Sequence, residues 1–195
     1  MQTCKYKYDY EQLITNYIEY NLNKDIKYNN DNPLPDCYTS TAKGILSFNG
    51  PYLISYTTPV AKLIHTKYNT YLFIDSYKYS ATTTKQLAKL TDAIPAAVVR
   101  VYVTDLESSF KSIANKYMST IYATYKRCIR ARNAKHIKIT VAAYKNAMYS
   151  ILPELHHQTR KATLRKLGEL PNIPDKLNKF TRPIMLSVLK DKGLL

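Results

Sequence analysis

The spacing of apolar residues changes along the chain, and this change is what most restricts the possible folds. Apolar residues recur at helical spacing over residues 8–24 and again after residue 104. Between them, residues 44–80 contain short β-branched and aromatic runs that are typical of strands. The chain is therefore predicted to be an α+β protein, with an N-terminal helix, a small antiparallel sheet of three to four strands and a C-terminal bundle of three to four helices.

The predicted sheet is built from two hairpins. Its strands are residues 45–48, 52–57, 60–65 and 70–75. Asn49-Gly50 predicts the turn of the first hairpin, and the polar residues 67–69 predict the turn of the second. We expect Pro59 to separate the hairpins, because proline does not donate to a strand ladder.

Two segments flank the later part of this sheet. Residues 82–90 predict a short helix that begins at a threonine cap. The β-branched run 96–103 is consistent with one more strand or with an apolar linker.

Four helices are predicted after residue 103. Thr104-Asp105-Leu106-Glu107 has the form of a capping box and predicts the start of a helix that runs to about residue 132. The other three are expected over about 138–152, 154–168 and 175–191, the last one interrupted or kinked near Pro183.

We expect a domain boundary at 103/104, with residues 1–103 and 104–195 either separate or packed as one domain. Residues 25–43, rich in Asn, Asp and Pro, predict a long connector that is mobile or ordered by a partner.

The positive charge is concentrated in the predicted bundle. The chain has a net charge of +15, from 29 Lys and Arg against 14 Asp and Glu. Residues 104–195 hold 18 of these cations and 6 of the acids, a net of +12. Lysine has A/T-rich codons, so base bias in the genome explains part of the lysine content but not its location. Such localised charge favours a polyanionic partner, either nucleic acid, DNA or RNA, or an acidic protein surface.

Two clusters are the candidate nucleic-acid contacts. The first lies within residues 126–138 and contains Lys126, Arg127, Arg130, Arg132, Lys135 and Lys138. The second contains Arg160, Lys161, Arg165 and Lys166. Cations complement the dipole at a helix C-terminus, which explains about two of the first six. The alternative is a solvated basic face without a partner. If the first and third helices of the bundle pack side by side, the clusters form one patch for phosphate oxygens.

The sequence shows no pattern typical of an enzyme. It contains no phosphate-binding glycine loop and no GxSxG or HExxH motif, and its carboxylates are scattered. Adjacent helical residues such as His156-His157 point about 100° apart, and Cys4, Cys37 and Cys128 form no CxxC pair. We therefore expect a non-enzyme without a cofactor or metal. Tyrosines of the sheet, such as Tyr52, Tyr56 and Tyr71, are a second candidate surface, for stacking on single-stranded bases.

Two motifs resemble a known domain. Residues 54–61 read ISYTTPVA and residues 79–86 read YSATTTKQ. Together they resemble a small uncharacterised domain of phage and mobile-element proteins, in which an SYxTPxA strand precedes a helix start similar to YSxTTSKH. Thr84 and Gln86 stand where serine and histidine are commoner in that domain. The resemblance covers about residues 44–91 and implies a phage-like origin but no mechanism.

These observations favour an accessory phage-type protein that binds nucleic acid. A virion component (a neck, tail-adaptor or packaged protein) that assembles with itself or with other virion proteins, and an inhibitor of a host defence protein, are the alternatives. No stretch is apolar enough to span a bilayer and no secretory signal is visible, so we expect no membrane partner and a location in the host cytoplasm or the virion.

Overall fold

The protein consists of two compact units, Met1–Glu107 and Ser108–Leu195. A computed structural model describes residues 7–22, 39–41, 45–128, 134–173, 181–191 and 193. Within these ranges the first unit contains helices and a sheet, and the second contains helices alone. The predicted α+β class is confirmed.

The first unit has a seven-stranded sheet whose strands lie side by side in chain order. Its helices are α1 (Tyr10–Leu22) and α2 (Ala81–Ala93). Its strands are β1 (Lys7–Tyr8), β2 (Thr39–Thr41), β3 (Leu46–Asn49), β4 (Tyr52–Ser55), β5 (Thr58–His65), β6 (Thr70–Asp75) and β7 (Val99–Val103). β1 and β2 are very short, and the number of longer strands, five, already exceeds the predicted number of three to four. β2 also lies inside the predicted connector; most of that connector (residues 25–38 and 42–43) lies outside the described residues.

The sheet is mixed, whereas an antiparallel sheet was predicted. β1 pairs with β2, and β6 with β7, in parallel, while the pairs from β2 to β6 are antiparallel. Parallel neighbours need a crossover connection, and α2 supplies it between β6 and β7. Of the two interpretations of residues 96–103, the strand is therefore correct. Its partner, β6, precedes it by more than twenty residues, so local sequence did not reveal the pairing.

Both hairpins form, with small differences from the predicted turns. Asn49 pairs with Tyr52, so the first turn is centred on Gly50-Pro51 and not on Asn49-Gly50. Gly50 has a φ of 52°, which suits glycine at the first central position of a type II′ turn. Pro59 lies within β5, where the register with β4 shifts, and does not separate the hairpins. A bulge tolerates proline because the ladder is interrupted there.

Helix α1 contacts the first hairpin turn through hydrogen bonds from two buried side chains. Tyr17 Oη donates to Pro51 O at 2.7 Å, and Asn21 Nδ2 donates to Gly50 O at 3.1 Å. Around these bonds, apolar side chains of α1 and α2 pack on one face of the sheet; the fully buried members are Leu13, Tyr17, Leu46, Leu53, Val60, Ala61, Leu72 and Leu90. The apolar face predicted for residues 8–24 thus forms part of this core.

The turn between β4 and β5 contains the one non-glycine residue with positive φ in the described chain. Tyr56 has a φ of 55° and a half-exposed side chain. Residues with a Cβ atom are disfavoured in this region by about 1 kcal/mol. We expect Tyr56→Gly to raise the free energy of unfolding by up to about 1 kcal/mol, measured by urea denaturation followed by circular dichroism. Tyr56→Ala, which keeps the Cβ atom, is the matched control and should bring no such gain.

The predicted capping box is wrong. The helix begins at Phe110, and Ser109 Oγ accepts a hydrogen bond from Ser112 N at 3.2 Å. Glu107 instead accepts hydrogen bonds from Lys62 Nζ at 2.7 Å and from Tyr52 Oη at 2.5 Å. The Lys62 side chain is mostly buried, so its ammonium benefits from a carboxylate partner, and a serine caps the helix instead.

The Glu107 carboxylate makes stability depend on pH. Hydrogen bonds from Lys62 and then from Tyr52 hold the pKa of Glu107 below its ordinary value of 4.5. A lowered pKa in the folded state adds stability above the ordinary pKa, and this stability is lost as the pH falls through the folded value. We expect Glu107→Gln to cost less than about 1 kcal/mol at neutral pH, because the carboxylate is partly exposed, and less still in acid. Urea denaturation at a series of pH values checks this; a difference that stays constant from neutral pH into acid would contradict it.

The described residues of the second unit form four helices, α3 (Phe110–Cys128), α4 (Lys135–Ile151), α5 (His157–Gly168) and α6 (Thr181–Asp191). This number agrees with the prediction. Leu152–Glu154 form a 3-10 turn at Pro153, where α4 was expected to end. Pro183 lies in the first described turn of α6, where its missing N–H costs little. The predicted start of that helix, residues 175–180, lies outside the described residues.

Helices α3 and α4 pack against each other along their apolar stripes. Ile113, Tyr117 and Ile121 are buried on α3, as their spacing predicted. The rings of Tyr117 and Tyr144 meet edge to face at 5.6 Å. The packing of α3 against α4 is the most extensive contact between helices in the described part of the second unit.

Candidate nucleic-acid interface

Almost all of the net positive charge belongs to the second unit. Residues 108–195 contain 18 Lys and Arg against 4 Asp and Glu, a net of +14, whereas residues 1–107 contain 11 against 10, a net of +1. Four carboxylates cannot neutralise eighteen cations. The unit therefore pays an electrostatic cost that an anionic partner would relieve.

The described residues of the first cluster lie on either side of the junction between α3 and α4. Lys126 and Arg127 are exposed in the last turn of α3, where cations complement the helix dipole. Lys135 and Lys138 are exposed in the first turn of α4, where the dipole disfavours cations. Dipole complementation thus explains only half of these four. The other two members, Arg130 and Arg132, lie outside the described residues.

The four residues of the second cluster differ in exposure. Lys161, Arg165 and Lys166 are exposed on α5, and Arg165 Nε lies 3.9 Å from a Glu169 carboxylate oxygen. Arg160 is half-buried, and its guanidinium donates to Pro153 O at 2.5 Å and to Leu155 O at 3.3 Å. Arg160 therefore donates hydrogen bonds to one carbonyl of the 3-10 turn and to the carbonyl that follows it.

Among the described residues, α3 packs mainly along α4 and not along α5. The segment that follows α5 contacts the last turns of α3. Tyr125 Oη donates to Pro171 O at 2.6 Å. Burial, and then the negative charge of Glu169, raise the pKa of Tyr122. An acidic residue thus lies close enough to α3 to affect Tyr122.

A further lysine that the sequence prediction omitted belongs to this region. Lys145 lies two helical turns after Lys138 on α4, and both line one groove. The spacing of seven residues places them on the same face of the helix and was visible in the sequence. It was missed because Lys145 stands alone in the sequence and not within a basic run.

The candidate tyrosine surface of the first unit does not form as predicted. Tyr71 is fully buried, and Tyr52 donates its hydroxyl hydrogen to Glu107. Tyr56 is half-exposed, as expected for a turn residue. One of the three tyrosines is thus buried, and another is hydrogen-bonded to a carboxylate.

The residues of the two resemblance motifs meet in a buried polar cluster. Ser55 Oγ donates to Gln86 Oε1 at 2.7 Å and lies 3.0 Å from Thr83 Oγ1. All three side chains are buried. Ser80, and not the predicted threonine, caps α2, since its Oγ accepts from Thr83 N at 3.4 Å. The motifs therefore join β4 to the start of α2, which is a structural role.

Within the described residues, no three His, Cys, Asp or Glu side chains are grouped closely enough to hold a metal ion. None of the helices in that same part of the chain has the length and apolar character needed to cross a bilayer.

Residues 12–100 match the model of a family of unknown function (DUF8033). The match begins within α1, spans strands β2 to β6 and α2, and ends within β7. It therefore covers most of the first unit and stops before the basic helices. No curated protein and no solved structure matches the chain.

Proposed function

We propose that this chain is a non-enzymatic accessory protein of phage type that binds nucleic acid through phosphate contacts of its second unit. The observation that supports this most directly is the division of charge, +14 in one unit against +1 in the other. Lys126, Arg127, Lys135 and Lys138 form the core of the binding surface, and Arg130 and Arg132 lie between them in the sequence.

The placement of the lysines supports contact with an anion. Lys135 and Lys138 lie at the positive end of α4, and Ala134 offers no side chain to cap it. The positive end of a helix attracts negative charge, and exposed lysines beside it add to this attraction. Phosphate oxygens supply this charge at regular intervals along any nucleic acid. The contacts are expected to be independent of sequence, because phosphate contacts carry no base information.

Binding at increasing salt concentration tests the proposal. Fluorescence anisotropy of the full chain with a labelled duplex should show an affinity that falls steeply with salt, with a logarithmic slope of about −4 if four phosphates are neutralised. Duplexes of unrelated sequence should give the same slope. Absence of binding at low salt would overturn the proposal.

A further inference from the structure

A groove in the second unit combines positive charge with an apolar floor. It has a volume of about 440 Å³ and lies between α4 and residues 171–173. Lys138 and Lys145 line its α4 side, together with Val141 and Ala142. This volume is within the range of pockets that bind small molecules.

The wall opposite α4 is held in place by a buried tyrosine. Tyr125 is almost fully buried, and its hydroxyl donates to Pro171 O at 2.6 Å. This bond fixes the segment that carries Asn172, which is exposed, and Ile173, which is buried. The groove therefore has a fixed second wall with an amide that can both donate and accept hydrogen bonds.

We infer that this groove binds one unpaired nucleotide of a single-stranded nucleic acid, an inference that rests on the proposed function. The two lysines would bind the phosphates, Val141 and Ile173 would contact the base or sugar, and Asn172 would hydrogen-bond a base edge. In a duplex the bases are stacked inside, so that only phosphates reach the lysines. A single strand can place a base in the groove.

Filling the groove without changing the charge tests the inference. Ala142 is exposed and lines the groove, so Ala142→Trp should occupy it and leave the lysines in place. Ala143 is exposed on the next position of α4 and is not among the groove residues, so Ala143→Trp is the matched control. Circular dichroism of both variants verifies that the helices are retained.

Affinity is measured for an oligothymidylate of about ten nucleotides and for a duplex of the same length. We expect Ala142→Trp to weaken binding of the single strand roughly tenfold, as loss of one base contact would. Its duplex affinity, and both affinities of Ala143→Trp, should be those of the unaltered chain. An oligoglutamate that displaces the single strand as well as oligothymidylate itself does would overturn the inference, since the occupant would then be an acidic peptide.

Two other results separate this inference from the proposed function. If Ala142→Trp binds the single strand as tightly as the unaltered chain, the groove is not the site, while nucleic-acid binding stands. If the unaltered chain binds neither single strand nor duplex, both the inference and the proposed function fail.

Discussion

Replacing Ser55 with alanine should lower the free energy of unfolding of the first unit by about 3 kcal/mol. Ser55 Oγ donates to Gln86 Oε1 and contacts Thr83 Oγ1, and all three side chains are buried. Without the hydroxyl, Gln86 Oε1 would lose this hydrogen bond. Gln86 Nε2 is already buried without a partner among the described residues, so the whole amide would then be poorly satisfied. Urea denaturation followed by circular dichroism measures the loss.

A serine on the neighbouring strand provides the control. Ser47 is half-buried on β3 and makes no side-chain hydrogen bond to the described residues, so Ser47→Ala should change the unfolding free energy by less than about 0.5 kcal/mol. If Ser55→Ala costs no more than this, the buried cluster does not contribute as its hydrogen bonds indicate.

A second substitution shows whether the cost comes from the unsatisfied amide. Methionine resembles glutamine in length but has no amide, so Gln86→Met removes both of its polar atoms. In the Ser55→Ala background, Gln86→Met should recover at least about 1 kcal/mol. Equal effects of Gln86→Met with and without Ser55 would show that the two residues are not coupled.

The parts of the fold that depend on neighbouring residues were predictable. Periodicity identified α1 and the stripe of Ile113, Tyr117 and Ile121, and turn residues identified both hairpins. These features need only residues a few positions apart. The match between pattern and structure is closest where one face of an element is buried.

The features that were missed depend on contacts between distant residues. Glu107 was assigned to a helix cap because Lys62 and Tyr52, about fifty residues earlier, are invisible to local reasoning. In the same way, Arg160 was assigned to a phosphate surface, although its guanidinium donates a hydrogen bond to a carbonyl of a 3-10 turn. A sequence shows how many charged side chains a protein has. Only the fold shows which of them already bind other groups of the protein.

Reversing two charges at the end of α3 should greatly weaken nucleic-acid binding. Lys126 and Arg127 are both exposed in the last turn of the helix, so Lys126→Glu/Arg127→Glu removes two cations and adds two anions there. We expect affinity for every duplex to fall on the order of 100-fold at moderate salt, and the logarithmic salt slope to decrease in magnitude by about 2. Fluorescence anisotropy at several salt concentrations measures both quantities.

The matched control separates local contact from overall charge. Lys78→Glu/Lys85→Glu makes the same change in net charge at two exposed lysines of the first unit. A protein that attracts nucleic acid only by its total charge would lose affinity equally in the two double variants. If phosphates lie against the α3–α4 junction, the first-unit variant should keep its salt slope, because slope counts the phosphates in contact and not the distant charges. Equal slopes in the two variants would therefore place the contact elsewhere, however large the loss of affinity.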